Sequence, residues 1–379
     1  MVWICRALLA PFHWIIWILA GFIPKKEICI YGSWFGKVAS DNSWYLFLQN
    51  QKDYPEYEHY FITEDKSKYL VKNVVPKRSL KSIIISTKAK YAFYSSSIRD
   101  LPNFYLRKSK RINLWHGIPI KKIGLDNQLI YKPKWETFKK IVFPYFYEYD
   151  FDFVVNPDKH YNEIFESAFG LNKKQIINHH YPRNSIFDKS YQKFKDHNLK
   201  EKLKVEYTKI IAFFPTFRAN YDYNPFKFNS EKQSVEFIEW LENQGIVILF
   251  KNHKENFKNK ILSSERVIDI TSINMDIQEA LLLSNCLISD YSSVIFDFKV
   301  TGKPICFFAL DADQYPIKER NLYLNPKELK LSYYAYDWKN LQIGIETIFS
   351  QEKQSIEPTK KFEYINSLLK IITHETKTN

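Results

Sequence analysis

Two histidines in this chain of 379 residues stand where a proton could be moved. His116 closes the apolar run "RINLW" and His253 closes "IVILFKN". Lys121 and Lys122 follow the first, and Lys251 and Lys254 flank the second. Imidazole titrates near neutrality, so it can take or give a proton at working pH. Surrounded by such cations and by Arg183 or Arg218, two imidazoles suit phosphoryl or glycosyl transfer, where anionic charge is held while a hydroxyl attacks. The alternative is that each is only a hydrogen-bonded loop residue. One such histidine in each half of the chain weighs against that.

A second polar concentration is "SDYSSVIFDF", residues 289–298, set between the apolar runs "LLLSNCLI" and "KPICFFAL". Ser289 or Asp290 could cap a helix starting near Val294. The same geometry, exposed N–H groups at a helix start with the hydroxyls of Ser292 and Ser293, could seat a phosphate. The pattern alone leaves both readings open.

Other chemistries are excluded more firmly. "GSWFGKV" has one residue too few between its glycines for a P-loop, and Val38 stands where Ser or Thr is needed. There is no GxGxxG and no HExxH. His179 and His180 are adjacent, so they point apart, and no carboxylate or cysteine cluster accompanies them; no metal is expected. Cys5, Cys29, Cys286 and Cys306 show no metal or disulfide spacing. Lys and Arg number 55 against 42 Asp and Glu, a net charge of +13 that calls for an anionic partner. The aromatics lie at core spacing with no interleaved basic platform, so nucleic acid is not that partner.

The elements that must position these residues follow from the pattern. "EICIYG", "YEHYFIT", "KYAFYSS", "RINLW" and "DFVVN" read as strands separated by helical stretches. After a polar region at 186–206 the pattern restarts with "KIIAFF", "IVILF", "RVIDI", "CLIS" and "KPICFFA". Such alternation predicts βαβ units and parallel sheets, hence two α/β halves with a cleft between them. Ligands of parallel α/β sheets bind beyond the carboxyl ends of the strands. Both histidines, "PTFR" (215–218) and "SDYSS" fall there. So do Gly32, Gly36, Gly117, Gly124 and Gly302, from a total of only 9 glycines. At the N-terminus, residues 7–23 are almost wholly apolar but short for a span, carry Pro11 and His13, and lack a small-residue cleavage pattern. A cleaved leader or a spanning helix is conceivable. The favoured reading is a helix lying on the membrane face, with Lys25 and Lys26 near the headgroups.

In order along the chain, "YGSWFGKVASDNSWYLF", "NLWHGIPIKKIG", "HYPRNSIF", "FFPTFR", "ILFKNH" and "ISDYSSVIFDFKVTGKPICFFALDADQY" resemble the motifs of the CDP-glycerol glycerophosphotransferase family, the teichoic-acid primases and polymerases and related capsule polymerases. The resemblance covers roughly residues 28–316. It implies two Rossmann-like domains in a GT-B-like arrangement, with the nucleotide in the cleft. It also implies transfer of a polyol phosphate from a CDP-polyol to a hydroxyl of a lipid-linked or polymeric glycan, with release of CMP.

By motif position, His116 is implied as general base on the acceptor hydroxyl, and His253 as stabiliser of the phosphate or acid for the leaving group. Gly117, Ile118, Pro119 and Ile120 would line the donor site with Pro215, Lys251 and Asn252. Arg183, Thr216 and Arg218 would neutralise phosphate, Ser292 and Ser293 would seat the pyrophosphate, and Asp297 would hold the polyol or the loop. A pyrophosphate ringed by Lys and Arg needs no bound metal, so neither cofactor nor essential metal is expected. Several positions depart from the family's usual residues, among them Ile118, His180, Ser185, Lys251, Asn252 and Lys254. The donor, CDP-glycerol or CDP-ribitol, therefore stays open. The expected organisation is a membrane-associating segment at 1–24, an acceptor-side domain at 25–195, a nucleotide-donor domain at 196–350 and a helical tail at 351–379. The expected place of work is the cytoplasmic face of the cell membrane. A GT-B glycosyltransferase using a nucleotide sugar is the competing function.

Overall fold

A computed structural model describes residues 2–127, 133–188, 203, 205–216, 218–221, 223–251, 262, 264–352 and 362–378. The chain divides into two compact units. The first comprises Met1–His116, Gly124–Ser185 and Tyr364–Asn379, and the second Gly117–Ile123 and Ile186–Glu363. Each is an α/β unit built on one parallel sheet, as the alternation of apolar runs and helical stretches predicts.

The first unit has strands β1 (Lys26–Gly32), β2 (Glu58–Thr63), β3 (Val74–Pro76), β4 (Ala89–Tyr94), β5 (Lys110–Asn113), β6 (Phe153–Asn156) and β7 (Ile176–Asn178). Their order is β3-β2-β1-β4-β5-β6-β7. The register sets Tyr31 of β1 beside Phe61 on one side and Phe93 on the other. Tyr31 and Phe93 stack with ring centroids 5.1 Å apart. Helices cover both faces of such a sheet, so its central strands read as nearly continuous apolar runs, and all four residues of β6 are buried. Because the chain runs outward from β1 in one direction and then from β4 in the other, the order reverses between β1 and β4. The C-terminal helix Leu368–Thr378, set apart as a tail in the sequence reading, buries Leu368, Leu369 and Ile372 in this unit's core.

The N-terminal helix Val2–Ala20 contains Pro11 and packs Ala10 and Trp17 against Phe143 and Tyr145. Trp14 Nε1 donates to the Val142 carbonyl at 2.9 Å. The opposite side of the segment leaves Phe12, Ile15, Leu19 and Phe22 more than half exposed. No described helix is long and apolar enough to cross a membrane.

The second unit has strands β8 (Lys209–Phe214), β9 (Ile246–Phe250), β10 (Val267–Asp269), β11 (Cys286–Ser289), β12 (Ile305–Phe308) and β13 (Tyr333–Ala335). They are ordered β10-β9-β8-β11-β12-β13, so the order reverses between β8 and β11. Every residue of β9 is buried. Phe213, Phe226, Phe250 and Trp338 form an aromatic centre, with Phe226 and Trp338 stacked at 5.7 Å. Residues 117–123, which follow His116 directly in the chain, belong to this second unit, where Lys121 pairs antiparallel with Leu322.

Candidate active site

In each unit polar residues gather at the carboxyl edge of the sheet, at or beside the point where strand order reverses, which is where a parallel sheet opens a crevice. In the first unit that point lies between the ends of β1 and β4. Asp100 ties the two strand ends together. Its buried carboxylate accepts from the backbone N–H of Phe35 at 2.7 Å and Ser96 at 2.9 Å, and from the Ser96 hydroxyl at 2.6 Å. Burial raises the Asp100 pKa, and these hydrogen bonds oppose the rise.

His116 sits just beyond the next strand, β5. Its Nδ1 lies 3.1 Å from the Ser95 carbonyl. A carbonyl can only accept, which assigns the proton to Nδ1 and leaves the lone pair on Nε2, which has no hydrogen-bond partner among the described residues. The ring is flanked by Trp115 at 4.1 Å and Trp34 at 5.8 Å. Burial lowers its pKa; Asp41 and the Ser95 hydrogen bond raise it, and Arg183 lowers it further. The imidazole is thus neutral, oriented and basic at Nε2, which is the state a general base requires.

Arg183 and Asp41 brace this histidine from behind. Arg183 donates to Asp41 Oδ1 at 2.7 Å and to the His116 carbonyl at 3.0 Å. Asn42 donates to the Trp115 carbonyl at 2.8 Å and accepts from the Arg183 backbone N–H at 3.2 Å. The backbone here is unusual. Trp34, Phe35, Asp41 and Trp115 all have φ between 45° and 64°, in the left-handed region, and Gly117 has φ 142°. Such conformations cost about 1–3 kcal/mol each in non-glycine residues, so the surrounding hydrogen bonds must hold them.

In the second unit, Asp290 at the end of β11 and the "PTFR" segment after β8 are joined. Asp290 Oδ1 accepts from the Thr216 and Tyr291 backbone N–H groups, each at 2.7 Å, and Oδ2 accepts from Arg218 at 2.8 Å. Arg218 also grips Asp311 through Nε at 2.7 Å and a second nitrogen at 2.8 Å, and it donates to the Thr216 carbonyl. The rings of Tyr223 and Tyr315 lie 4.2 and 4.3 Å from the guanidinium carbon. Arg218, expected from the resemblance to neutralise phosphate, is only 1% exposed and spends its donors on protein groups. It locks the loop rather than presenting a free charge.

Asp290 is consumed in the same way and does not cap the following helix. Ser289 Oγ donates to the Phe214 carbonyl at 2.7 Å, so it is no cap either. The helix Val294–Lys299 begins at Ser293, whose side chain makes no capping bond, and Ser292 Oγ accepts from Val294 N–H at 3.4 Å. Both hydroxyls are half-buried, and neither saturates the helix start. Asp297 is buried at 3% exposure within that helix. The Thr216 hydroxyl is buried without a hydrogen-bond partner among the described residues. Gly117, Ile118, Pro119 and Ile120 are buried, with the Ile120 carbonyl accepting from Tyr323 N–H at 2.8 Å. Pro215 and Lys251 are half-buried at strand ends. Asn252 and His253 lie outside the described residues. Among the described residues no group of three or more His, Cys, Asp or Glu side chains is placed to hold a metal.

Sequence reasoning missed Asp41, Asp100 and Asp311. Each is an acid in the stretch that follows a strand end, and that location was the available signal.

This arrangement of two switch-point sites accords with the comparisons. Residues 16–365 match the family described as CDP-Glycerol:Poly(glycerophosphate) glycerophosphotransferase. The chain belongs to this family. A teichoic acid poly(glycerol phosphate) polymerase from Bacillus spizizenii is 31% identical over 332 residues, 84% of this chain and 83% of the relative. A polymerase of the same description from Staphylococcus epidermidis is 28% identical over 326 residues, 80% of this chain; the chain spans 43% of that protein's length. Among solved structures, the wall teichoic acid polymerase TagF superposes with a TM-score of 0.70 at 23% identity, covering 93% of this chain and 87% of that one. The likeness shows a shared fold, α/β with parallel sheets of the GT-B type.

Proposed function

We propose that this chain transfers a polyol phosphate from a CDP-polyol to a hydroxyl of a lipid-linked or polymeric glycan, releasing CMP, in the synthesis of a teichoic-acid-like or capsule polymer. The observation that carries the reading, beside family membership, is His116: its Nδ1 is fixed on the Ser95 carbonyl and its Nε2 is left free. In the proposed reaction Nε2 takes the proton of the acceptor hydroxyl as that oxygen attacks the phosphorus bearing the polyol. The P–O bond to the CMP oxygen breaks, and CMP leaves with the bonding pair. Thr216, Ser292 and Ser293 are offered as hydrogen-bond donors to the diphosphate, with Arg218 and Asp290 holding their loops in place. His253 is assigned to the leaving phosphate from its motif position.

We further propose that the exposed apolar side of the N-terminal segment rests on the cytoplasmic face of the membrane. Its large apolar side chains and nearby Lys25 and Lys26 suit an anionic interface.

Purified protein incubated with an acceptor and with CDP-glycerol, CDP-ribitol or UDP-sugars tests the reaction. CMP release from a CDP-polyol with growth of the acceptor is expected. Release of UDP from a sugar donor, with no CMP from either CDP-polyol, would overturn it in favour of a nucleotide-sugar glycosyltransferase.

A further inference from the structure

Two cations of the second unit are held together with no direct ion-pair partner among the described residues. Residues 120–122 pair antiparallel with residues 321–323: Lys122 N–H donates to the Asn321 carbonyl and Tyr323 N–H to the Ile120 carbonyl, both at 2.8 Å, and Lys121 stands opposite Leu322. In an antiparallel pairing the residue two places from the directly opposed one lies on the same face, about 7–8 Å away and within reach of long side chains. Arg320 is two places from Leu322, and its charge acts on the Lys121 ammonium. Leu322 fixes the ladder by packing against a cluster formed by Tyr291, Phe307, Ala309 and Tyr315, so the two cations are set relative to the "SDYSS" loop.

Like charges brought this close repel. Asp290 and Glu319 act on the Lys121 ammonium from a distance and offset part of that repulsion, but neither pairs with it. Neither the Lys121 ammonium nor the Arg320 guanidinium has a hydrogen-bond or ion-pair partner among the described residues. The two acids that act on Lys121 accept their hydrogen bonds from other groups. Asp290 is taken by Arg218 and by two backbone N–H groups, and buried Glu319 accepts from Asn220 N–H at 2.8 Å. Burial first, then Arg320, pushes the Lys121 ammonium down to about 8, with Asp290 and Glu319 opposing the shift. An independent sign of a missing ligand comes from Thr216. The residue is only 8% exposed and its hydroxyl has no partner among the described residues, while its backbone is bonded to Asp290.

We infer that Lys121 and Arg320 form a phosphate seat of the second unit, completed by the Thr216 hydroxyl. Two positive charges and one neutral donor match a diphosphate or a phosphodiester better than a carboxylate. The phosphate can come from the donor's diphosphate or from the acceptor's own phosphodiester. The seat itself stands on its geometry, and the identity of the phosphate bearer rests on the reaction proposed above.

Full-length wild type is compared with the double variant Lys121→Gln/Arg320→Gln and with Lys121→Arg. Inorganic pyrophosphate and CDP-glycerol are titrated calorimetrically, and KM is measured for an oligo(glycerol phosphate) acceptor. Loss of two charge-assisted contacts weakens the seated anion tenfold or more in the double variant, while Lys121→Arg stays within about threefold of wild type. A matching loss of CDP-glycerol affinity assigns the seat to the donor. Unchanged CDP-glycerol affinity with a raised acceptor KM assigns it to the acceptor. Wild-type values for pyrophosphate, CDP-glycerol and acceptor in a folded double variant overturn the seat while leaving the reaction intact. Should the double variant not fold, Lys121→Gln alone carries the comparison with Lys121→Arg. Weakened pyrophosphate binding in the variants of a protein whose wild type never releases CMP would sink the reaction and keep the seat.

Discussion

Arg218 and Asp290 form a 2.8 Å salt bridge in which neither side chain reaches solvent. One end belongs to the segment after β8 and the other to the end of β11, so the pair staples together the two loops at the point where strand order reverses. Asp311 takes the other side of the guanidinium. Removing one partner of such a buried pair strands a charge and costs about 3–5 kcal/mol. Asp290→Asn should therefore lower the free energy of unfolding by roughly that amount in a urea titration followed by tryptophan fluorescence, with unfolding of the second unit preceding any specific loss of donor affinity. Were Arg218 instead a direct phosphate ligand, Arg218→Lys would weaken donor binding and leave the unfolding midpoint unmoved.

His116 presents Nε2 because Nδ1 is committed to the Ser95 carbonyl. A general base contributes about 10²–10⁴ in rate, so His116→Gln should lower kcat by that range with CDP-glycerol affinity and far-UV circular dichroism unchanged. A variant that keeps near wild-type kcat would remove His116 from the chemistry.

The same histidine gives the pH dependence a sign. Its pKa in the folded chain is lowered by burial from the ordinary 6.5. The neutral form is the active one, so kcat/KM should fall as pH drops through a value below 6.5 and stay level above it. Folding stability moves the same way. A depressed folded pKa means the unfolded chain binds the proton more readily. The contribution is complete above the ordinary value and is lost as pH falls through the folded one. An acid limb above 6.5 in the kcat/KM profile would contradict this assignment.

Arg183 carries the orientation of that base. It spans the Asp41 carboxylate and the His116 carbonyl, and its own side chain is 9% exposed. Lys cannot reproduce two divergent contacts from one planar group. Arg183→Lys should lower kcat about tenfold or more while shifting KM for the donor little. A pure rise in donor KM would instead mark Arg183 as a phosphate ligand, the role its motif position implies.

What the sequence disclosed and what it hid have one physical cause. Parallel strands covered on both faces are written as short apolar runs, such as "KIIAFF" for β8 and "IVILF" for β9, so their ends and the polar loops beyond them are visible in one dimension. His116, Thr216 and the "SDYSS" loop were found that way. The pairings that give those residues their character are not local. Asp41 is 142 residues from Arg183, Asp311 is 93 from Arg218, and Asp100 is 65 from Phe35. Strand order decides those meetings, and no spacing in the chain records it. Arg218 shows the consequence, since an arginine in a strand-end loop reads as a free cation until the two acids that neutralise it are brought alongside.

The N-terminal helix supplies the last test, because its two sides make opposite demands. Trp17 is buried against Phe143 and Tyr145, and its truncation to Ala removes packing worth about 3–5 kcal/mol when fully buried. Phe12 and Phe22 are 65% and 77% exposed, so replacing them by Glu costs the fold almost nothing. If this side rests on a membrane, each phenylalanine withdraws apolar surface from water at about 25 cal/mol per Å², and each introduced carboxylate is repelled by anionic headgroups. Phe12→Glu/Phe22→Glu should then lose at least tenfold in binding to vesicles containing anionic lipid, in a sedimentation assay, with its thermal unfolding unchanged. Co-sedimentation equal to wild type would show that another surface holds the protein to the bilayer.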